Sequence, residues 1–260
     1  MIEVHTWEVN SNSGKPLIFL KEKGVEFELH YVDILQFEQH QPEYLKLNPE
    51  GTVPTVVHDG KVMTESTEAL QYLDAVLPGP SFTPDDPQAR YLMRWWATHG
   101  TAWAASLSVL GWHAFMGPMV RELGEEKLTE LLERIPNRQR RIAWETAAKS
   151  TFTEEQLENA RNGVAAGVQM MNRRLQESTY FAGDMYSIAD MVIFANAYSL
   201  PLMHEYAAND DIAPEFMAWV KRIYSRPAIA EAFKLGRTPL RERAEEMIEK
   251  VAADNRDRQC

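Results

Sequence analysis

Between Leu77 and Pro87 the chain carries four prolines and one glycine within eleven residues. Proline has no backbone N–H, fixes its own φ and restricts the residue before it, so no helix or central strand runs through such a stretch. The segment reads as a linker, and it separates two parts with different periodicity. Before it, strand and helix signals alternate; after it, every periodic segment is helical.

In the first part, Ile2 to Thr6 predicts a short strand. Val9 to Gly14 (Val-Asn-Ser-Asn-Ser-Gly) is a cluster of turn residues. Pro16 follows at a position suited to a first helical turn, Leu17, Ile18 and Leu20 supply an apolar face, and Gly24 is a helix stop. Val25 to Val32 alternates again and predicts a second strand. Val53 to His58 and Lys61 to Thr64 flank Asp59-Gly60, a pair suited to a type I′ hairpin turn. Glu65 to Val76 has Leu70, Leu73 and Val76 at helical spacing. The expected order is strand, helix, strand, short helix, hairpin, helix, with a parallel crossover between the first two strands.

Beyond the linker, Arg90 to Leu110, Glu125 to Glu133, Thr153 to Leu175, Pro214 to Tyr224 and Ala228 to Phe233 predict helices. Ser187-Ile188-Ala189-Asp190 matches a capping box. The polar tail, Ala252 to Cys260, is expected to be frayed. The fold class is thus an α/β N-terminal part followed by an all-α C-terminal part.

Composition excludes some functions. A hydrophobic content of 45% is enough for a core, while a net charge of -11 opposes phosphate-backbone binding and so a nucleic-acid partner. Cys260 is the only cysteine, so neither an intramolecular disulfide nor a Cys-x-x-Cys redox pair can form. Met1 to Trp7 does not read as a signal peptide, and no apolar run reaches the 18 residues or so of a membrane span. A cytoplasmic protein is expected. His99 and His113 lack metal-ligand spacing, so no metal site is expected.

The motifs narrow this further. Gly51-Thr52-Val53-Pro54-Thr55-Val56 stands before the hairpin, Thr64-Glu65-Ser66 after it, and Ser187-Ile188-Ala189-Asp190 far downstream. Together they resemble the glutathione S-transferase superfamily. Asn12-Ser13-Gly14-Lys15-Pro16, Lys23-Gly24, Phe37-Glu38-Gln39-His40, Asn48-Pro49, His58-Asp59-Gly60-Lys61-Val62 and Arg226-Pro227-Ala228-Ile229 look like the lignin β-aryl etherases of sphingomonad bacteria. Gly111-Trp112 and Ala143-Trp144 are similar in a looser way. The resemblance implies a thioredoxin-like glutathione-binding domain over residues 1–78 and an all-helical substrate domain over 88–250. It also implies glutathione as co-substrate, an aromatic β-aryl ether as substrate, and a homodimer.

Glutathione is a nucleophile only as its thiolate, which hydroxyl or amide donors and a helix N-terminus favour. Ser13 and Asn12 stand in a turn before the helix expected near Pro16, and the resemblance implies that Ser13 donates to the sulfur, with Asn12 as its partner. Simple helix capping is the alternative for both. Val53 offers backbone groups to the cysteinyl part, with Pro54 in a cis peptide as the resemblance implies; an edge-strand proline is the alternative. Ser66 suits the γ-glutamyl carboxylate and Glu65 the ammonium, with capping again the plainer role. Gln39 and His40 lie in a loop that could reach the glycyl end, His40 otherwise being a solvated surface histidine. Trp112, Phe115 and Trp144 are the expected substrate wall, although aromatic residues at helical spacing also build cores. His113 is better read as a satisfied helix histidine. These readings converge on a glutathione-dependent β-etherase. A general glutathione S-transferase acting on other aromatic electrophiles, and a non-catalytic glutathione-fold interaction protein, are the alternatives. A thioether-cleaving lyase is disfavoured because no cysteine lies near the site.

Overall fold

The computed structural model describes residues 1–239, 241, 242 and 244–249. The end of the expected second domain at residue 250 and the tail 252–260 lie outside the described residues. β1 (Ile2–Thr6) runs beside β2 (Glu28–Tyr31) in parallel and beside β3 (Thr55–His58) in antiparallel, and β4 (Lys61–Met63) closes the sheet in the order β2-β1-β3-β4. The parallel crossover is made by α1 (Ser11–Lys23), ended by Gly24 at φ 68. Asp59 and Gly60 both have positive φ (50 and 77), as a type I′ turn requires. Short 3₁₀ turns at Ile34–Gln36 and Glu38–His40 lead to α2 (Pro42–Leu47), and α3 (Ser66–Val76) follows the hairpin.

The start of α1 differs from the sequence reading. The helix begins at Ser11, so Asn12 and Ser13 belong to its first turn instead of preceding it. The Asn10 carbonyl accepts the Gly14 N–H at 2.9 Å, and a Cβ at Gly14 would stand 2.8 Å from the Val9 carbonyl carbon. Glycine thus allows a helix start so close to the preceding strand. Pro16 lies inside the helix and withholds the N–H that would bond the Asn12 carbonyl.

After residues 77–86 the chain is helical: α4 (Pro87–Gly111), α5 (Gly117–Arg121), α6 (Glu125–Glu133), α7 (Arg138–Lys149), α8 (Glu154–Leu175), α9 (Ile188–Ala197), α10 (Leu200–Met203), α11 (Pro214–Tyr224) and α12 (Pro227–Phe233). Trp112–Met116, between α4 and α5, is one wide π turn. No helix among the described residues is long and apolar enough to cross a membrane.

One core joins both parts: Val4, Leu17, Ile18, Val56 and Leu70 from the sheet side pack with Trp96, Val164, Ile193 and Trp219 from the helices. α9 is buried along its whole length, and its capping box sits inside that core. Asp190 accepts from the Ser187 N–H at 2.9 Å, the Phe181 N–H at 3.2 Å and the Trp219 indole N–H at 2.9 Å. Two ion pairs fasten α1. Lys23 donates to Asp74 at 2.8 Å with both side chains buried, and Arg226 forks onto Glu22 at 2.6 and 2.7 Å. A second, smaller cluster of Trp7, Phe37, Met116, Ile135 and Trp144 lies apart from the main core.

Candidate functional site

A cavity of about 640 Å³ lies between the sheet part and the helical part. Asn12, Ser13, Gln39 and Val53 line one side, and Trp112, Phe115 and Trp144 line the other. Seven of the eleven residues singled out from the sequence therefore share one cavity. Pro54, His40, Glu65 and Ser66 are not on its wall.

The polar side is held by backbone. Asn48 is fully buried, and its amide donates to the Thr52 carbonyl at 2.9 Å and to the Thr55 hydroxyl at 3.1 Å. The Tyr44 hydroxyl donates to the same Thr52 carbonyl at 2.6 Å. These bonds fix the loop that ends in Val53, whose peptide bond to Pro54 is cis, as expected. Gly51, at φ +59, leaves room for the ring beneath it: a Cβ there would be 2.4 Å from His40 Nδ1. His40 is 2% exposed, so it is neither a solvated surface residue nor a wall of the cavity. Burial first, and Arg140 second, pull its pKa down to about 4, which keeps the ring neutral at pH 7. Neither of its ring nitrogens has a hydrogen-bond partner, nor does Oε1 of Gln39, which is also buried but reaches the cavity.

Glu65 is the exposed residue before α3 and makes no capping hydrogen bond, while Ser66 is buried as the first helical residue. α1 and α3 are bridged by a residue that sequence reasoning passed over. Lys15 is fully buried, and its ammonium donates to the hydroxyls of Thr67 and Thr101, each at 3.1 Å. No carboxylate lies within 4.0 Å of it among the described residues. Burial pushes its pKa down to about 8, while Glu68 and Glu65 pull the other way. The lysine follows Ser13 by two positions and touches the neighbour of Ser66, so a buried positive charge sits between the two segments.

The opposite side is aromatic. Trp144 packs on Trp112 at 4.8 Å and on Phe37 at 4.7 Å between ring centroids. The π turn brings Trp112, Phe115, Met116 and, one turn on, Met119 to the same wall. Wide turns of this kind re-aim side chains relative to a regular helix. A Cβ at Gly117 would lie 2.2 Å from the Ala147 carbonyl oxygen, so glycine lets α7 approach and brings Trp144 to the cavity. His113 packs edge-on to Phe152 at 5.9 Å and does not line the cavity, and its buried Nδ1 has no hydrogen-bond partner, so it is not the satisfied histidine expected. His99 is satisfied, stacked on Trp95 at 3.5 Å with Nδ1 2.8 Å from the Trp95 carbonyl.

Sequence reasoning also missed Trp7, Arg140, Asn196 and His204 on the cavity wall. Arg140 sits on α7, a helix not anticipated. Pro136-Asn137 was the available signal, and the Asn137 side chain indeed accepts from the Gln139 and Arg140 N–H groups.

Comparison with known proteins agrees with this geometry. The glutathione S-transferase N-terminal domain family matches residues 11–76, and the glutathione S-transferase C-terminal domain family matches residues 124–227. LigF of Sphingobium sp. (strain NBRC 103272 / SYK-6) is 34% identical over 245 residues, covering 90% of this chain and 93% of that protein. The chain belongs to the glutathione S-transferase family. It is a glutathione-dependent transferase with a thioredoxin-like part and an all-helical part, and its co-substrate is glutathione. The crystal structure of the beta-etherase LigF from strain SYK-6 superposes with a TM-score of 0.84 at 33% identity, covering 90% of this chain and 99% of that one. Glutathione S-transferase U21 of Arabidopsis thaliana is 27% identical over 223 residues, covering 84% of this chain and 83% of that protein.

Proposed function

We propose that this transferase is a β-etherase that cleaves β-aryl ether bonds of lignin-derived α-keto aromatics. The glutathione thiolate attacks the carbon that bears the aryl ether and neighbours the ketone. A carbon–sulfur bond forms, the carbon–oxygen bond breaks, and the electron pair leaves on a phenolate that takes its proton from water. No electrons are exchanged with an outside donor. Phenol has a pKa near ~10, like tyrosine, so the leaving group needs no general acid.

The observation that carries this reading is the single cavity with a Ser13 end and a Trp112–Trp144 end. In the proposal, Ser13 donates to the thiolate from the first turn of α1, with Asn12 beside it, where the helix N-terminus also favours negative charge. Val53 pairs with the cysteinyl backbone. Glu65 and Ser66 hold the γ-glutamyl end at α3, and Gln39 with Arg140 holds the glycyl carboxylate. Trp112, Phe115 and Trp144 clasp the aryl rings, so the two reactants are aligned within one space. The similarity to the beta-etherase LigF supports the substrate class. The proposal includes the expected homodimer, which light scattering of the purified chain measures.

The test is turnover of each enantiomer of a model β-aryl ether ketone, with and without glutathione. Phenol release that matches glutathione consumption is the expected result. Conjugation of other electrophiles with no phenol released would leave a general glutathione S-transferase and overturn the ether assignment.

A further inference from the structure

The sheet carries a cluster that the transferase reaction does not use. Glu3 and His5 are two residues apart on β1, and Glu28 and His30 are two apart on β2. Parallel register pairs Glu3 with Glu28 and His5 with His30. Alternation along a strand sends all four to one face, opposite the face on which Ile2 and Val4 enter the core. None of the four lines the glutathione cavity. Histidines spaced 25 residues apart in the chain give no linear ligand motif, and only strand register brings them together.

The rings of His5 and His30 stack at 4.3 Å, tilted by 10°. Both Nε2 atoms approach the same oxygen of Glu3, at 3.7 Å from His5 and 3.6 Å from His30. His30 Nε2 is also 3.3 Å from a Glu28 oxygen, yet this buried atom has no hydrogen-bond partner. One donor atom from each of Glu3, His5 and His30 falls within a single 4.8 Å group. These separations are long for direct hydrogen bonds, which centre near ~2.9 Å. A cation can gather donors at such separations, with the two stacked rings turning so that both Nε2 lone pairs point to it. Tetrahedral zinc with bonds of about 2.0–2.1 Å sets its ligand atoms roughly 3.4 Å apart. Two imidazoles with carboxylates are a donor set that suits zinc.

We infer that Glu3, His5 and His30, completed by Glu28, form a zinc site on the outer face of the sheet, separate from the glutathione cavity. Each strand contributes one histidine and one glutamate. Bound zinc therefore clips β1 to β2, the pair of strands that α1 connects. Its expected effect is on the stability of the sheet.

The test uses tag-free full-length protein stripped with a chelator, in the Cys260→Ser background so that the thiol cannot compete. Zinc titrated at neutral pH by calorimetry should bind one ion per chain and raise the Tm by several degrees. Cobalt in place of zinc should give the visible absorption of a four-coordinate ion. Glu3→Gln, His5→Gln and His30→Gln should each weaken zinc binding at least tenfold, while His58→Gln, outside the cluster, should not. These positions are partly exposed, and circular dichroism of each variant without metal checks that it folds. Absence of saturable zinc binding, or binding unchanged in the His5→Gln/His30→Gln double variant, would overturn the site.

Discussion

Replacing Lys15 with methionine should make the protein more stable and a poorer binder of glutathione. The ammonium is fully buried, and burial lowers its pKa from 10.5 to about 8. That shift makes keeping the side chain charged inside the fold at neutral pH cost on the order of 3 kcal/mol. Methionine has a similar length and no charge. It forfeits two hydrogen bonds, at about 1 kcal/mol each. Their acceptors are not stranded, because the Thr67 and Thr101 hydroxyls stand 3.4 Å apart and Thr101 also donates to the Ala97 carbonyl. The net expectation is a gain of about 1–2 kcal/mol at pH 7. The pH dependence has a definite sign. Between pH 8 and 10.5 the unfolded chain holds the lysine proton more tightly than the folded one, so this residue makes wild-type stability rise with pH across that window. Urea denaturation at pH 7 and at pH 9.5 measures both effects, and Lys15→Met should lack the alkaline rise. The KM for glutathione should increase, because a cation between the first turn of α1 and the start of α3 is lost. A variant less stable than wild type by 2 kcal/mol or more, or one that keeps the wild-type alkaline rise, would refute the reasoning.

Ser13→Ala should lower kcat/KM roughly 10- to 100-fold, the worth of a hydrogen bond to a charged group, and should raise the kinetic pKa of the bound thiol. Full turnover at unchanged pH dependence would remove Ser13 from the mechanism. Asp190→Ala strands the Phe181, Ser187 and Trp219 N–H donors in the core. It should cost about 3–5 kcal/mol, seen as a Tm drop on the order of 10 °C. His40→Phe should flatten part of the acid limb of stability. Its lowered pKa means that the folded state takes up the proton less readily than the unfolded chain, so wild type loses stability as pH falls from 6.5 through about 4. Denaturation of both proteins across that range gives the difference, and identical acid limbs would contradict a buried neutral His40.

Local chemistry made much of the fold legible. Asp59-Gly60 supplies two positive φ values in a row, and few residue pairs do so readily. Glu125–Glu133 and Pro214–Tyr224 begin and end as their sequence patterns predict, and Ser187 and Asp190 form the capping box. Three things were hidden. α1 starts earlier than expected because small polar residues suit both a turn and a first helical turn. α7 is too polar to show a strong apolar stripe, although Asn137 caps it. The pairing of His5 with His30 depends on register between strands separated by a helix, which no local pattern encodes.

The two sides of the cavity are built by different means, and this explains why one was easier to read than the other. The polar side depends on backbone placed by a few obligatory residues: Gly14 at the helix start, Asn48 and Tyr44 pinning Thr52, and Gly51 above His40. Each tolerates few replacements for a steric or hydrogen-bonding reason, so each leaves a short motif in the chain. The aromatic side depends on which large side chains a π turn and α7 bring together: Trp112, Phe115 and Trp144 line one wall, and Gly117 lets α5 and α7 approach. Apolar packing accepts many combinations of similar volume. A chain can therefore keep the polar side while repacking the other. Relatedness at the level of the family carries the co-substrate, whereas the identity of the electrophile must come from the shape of this particular cavity and from turnover.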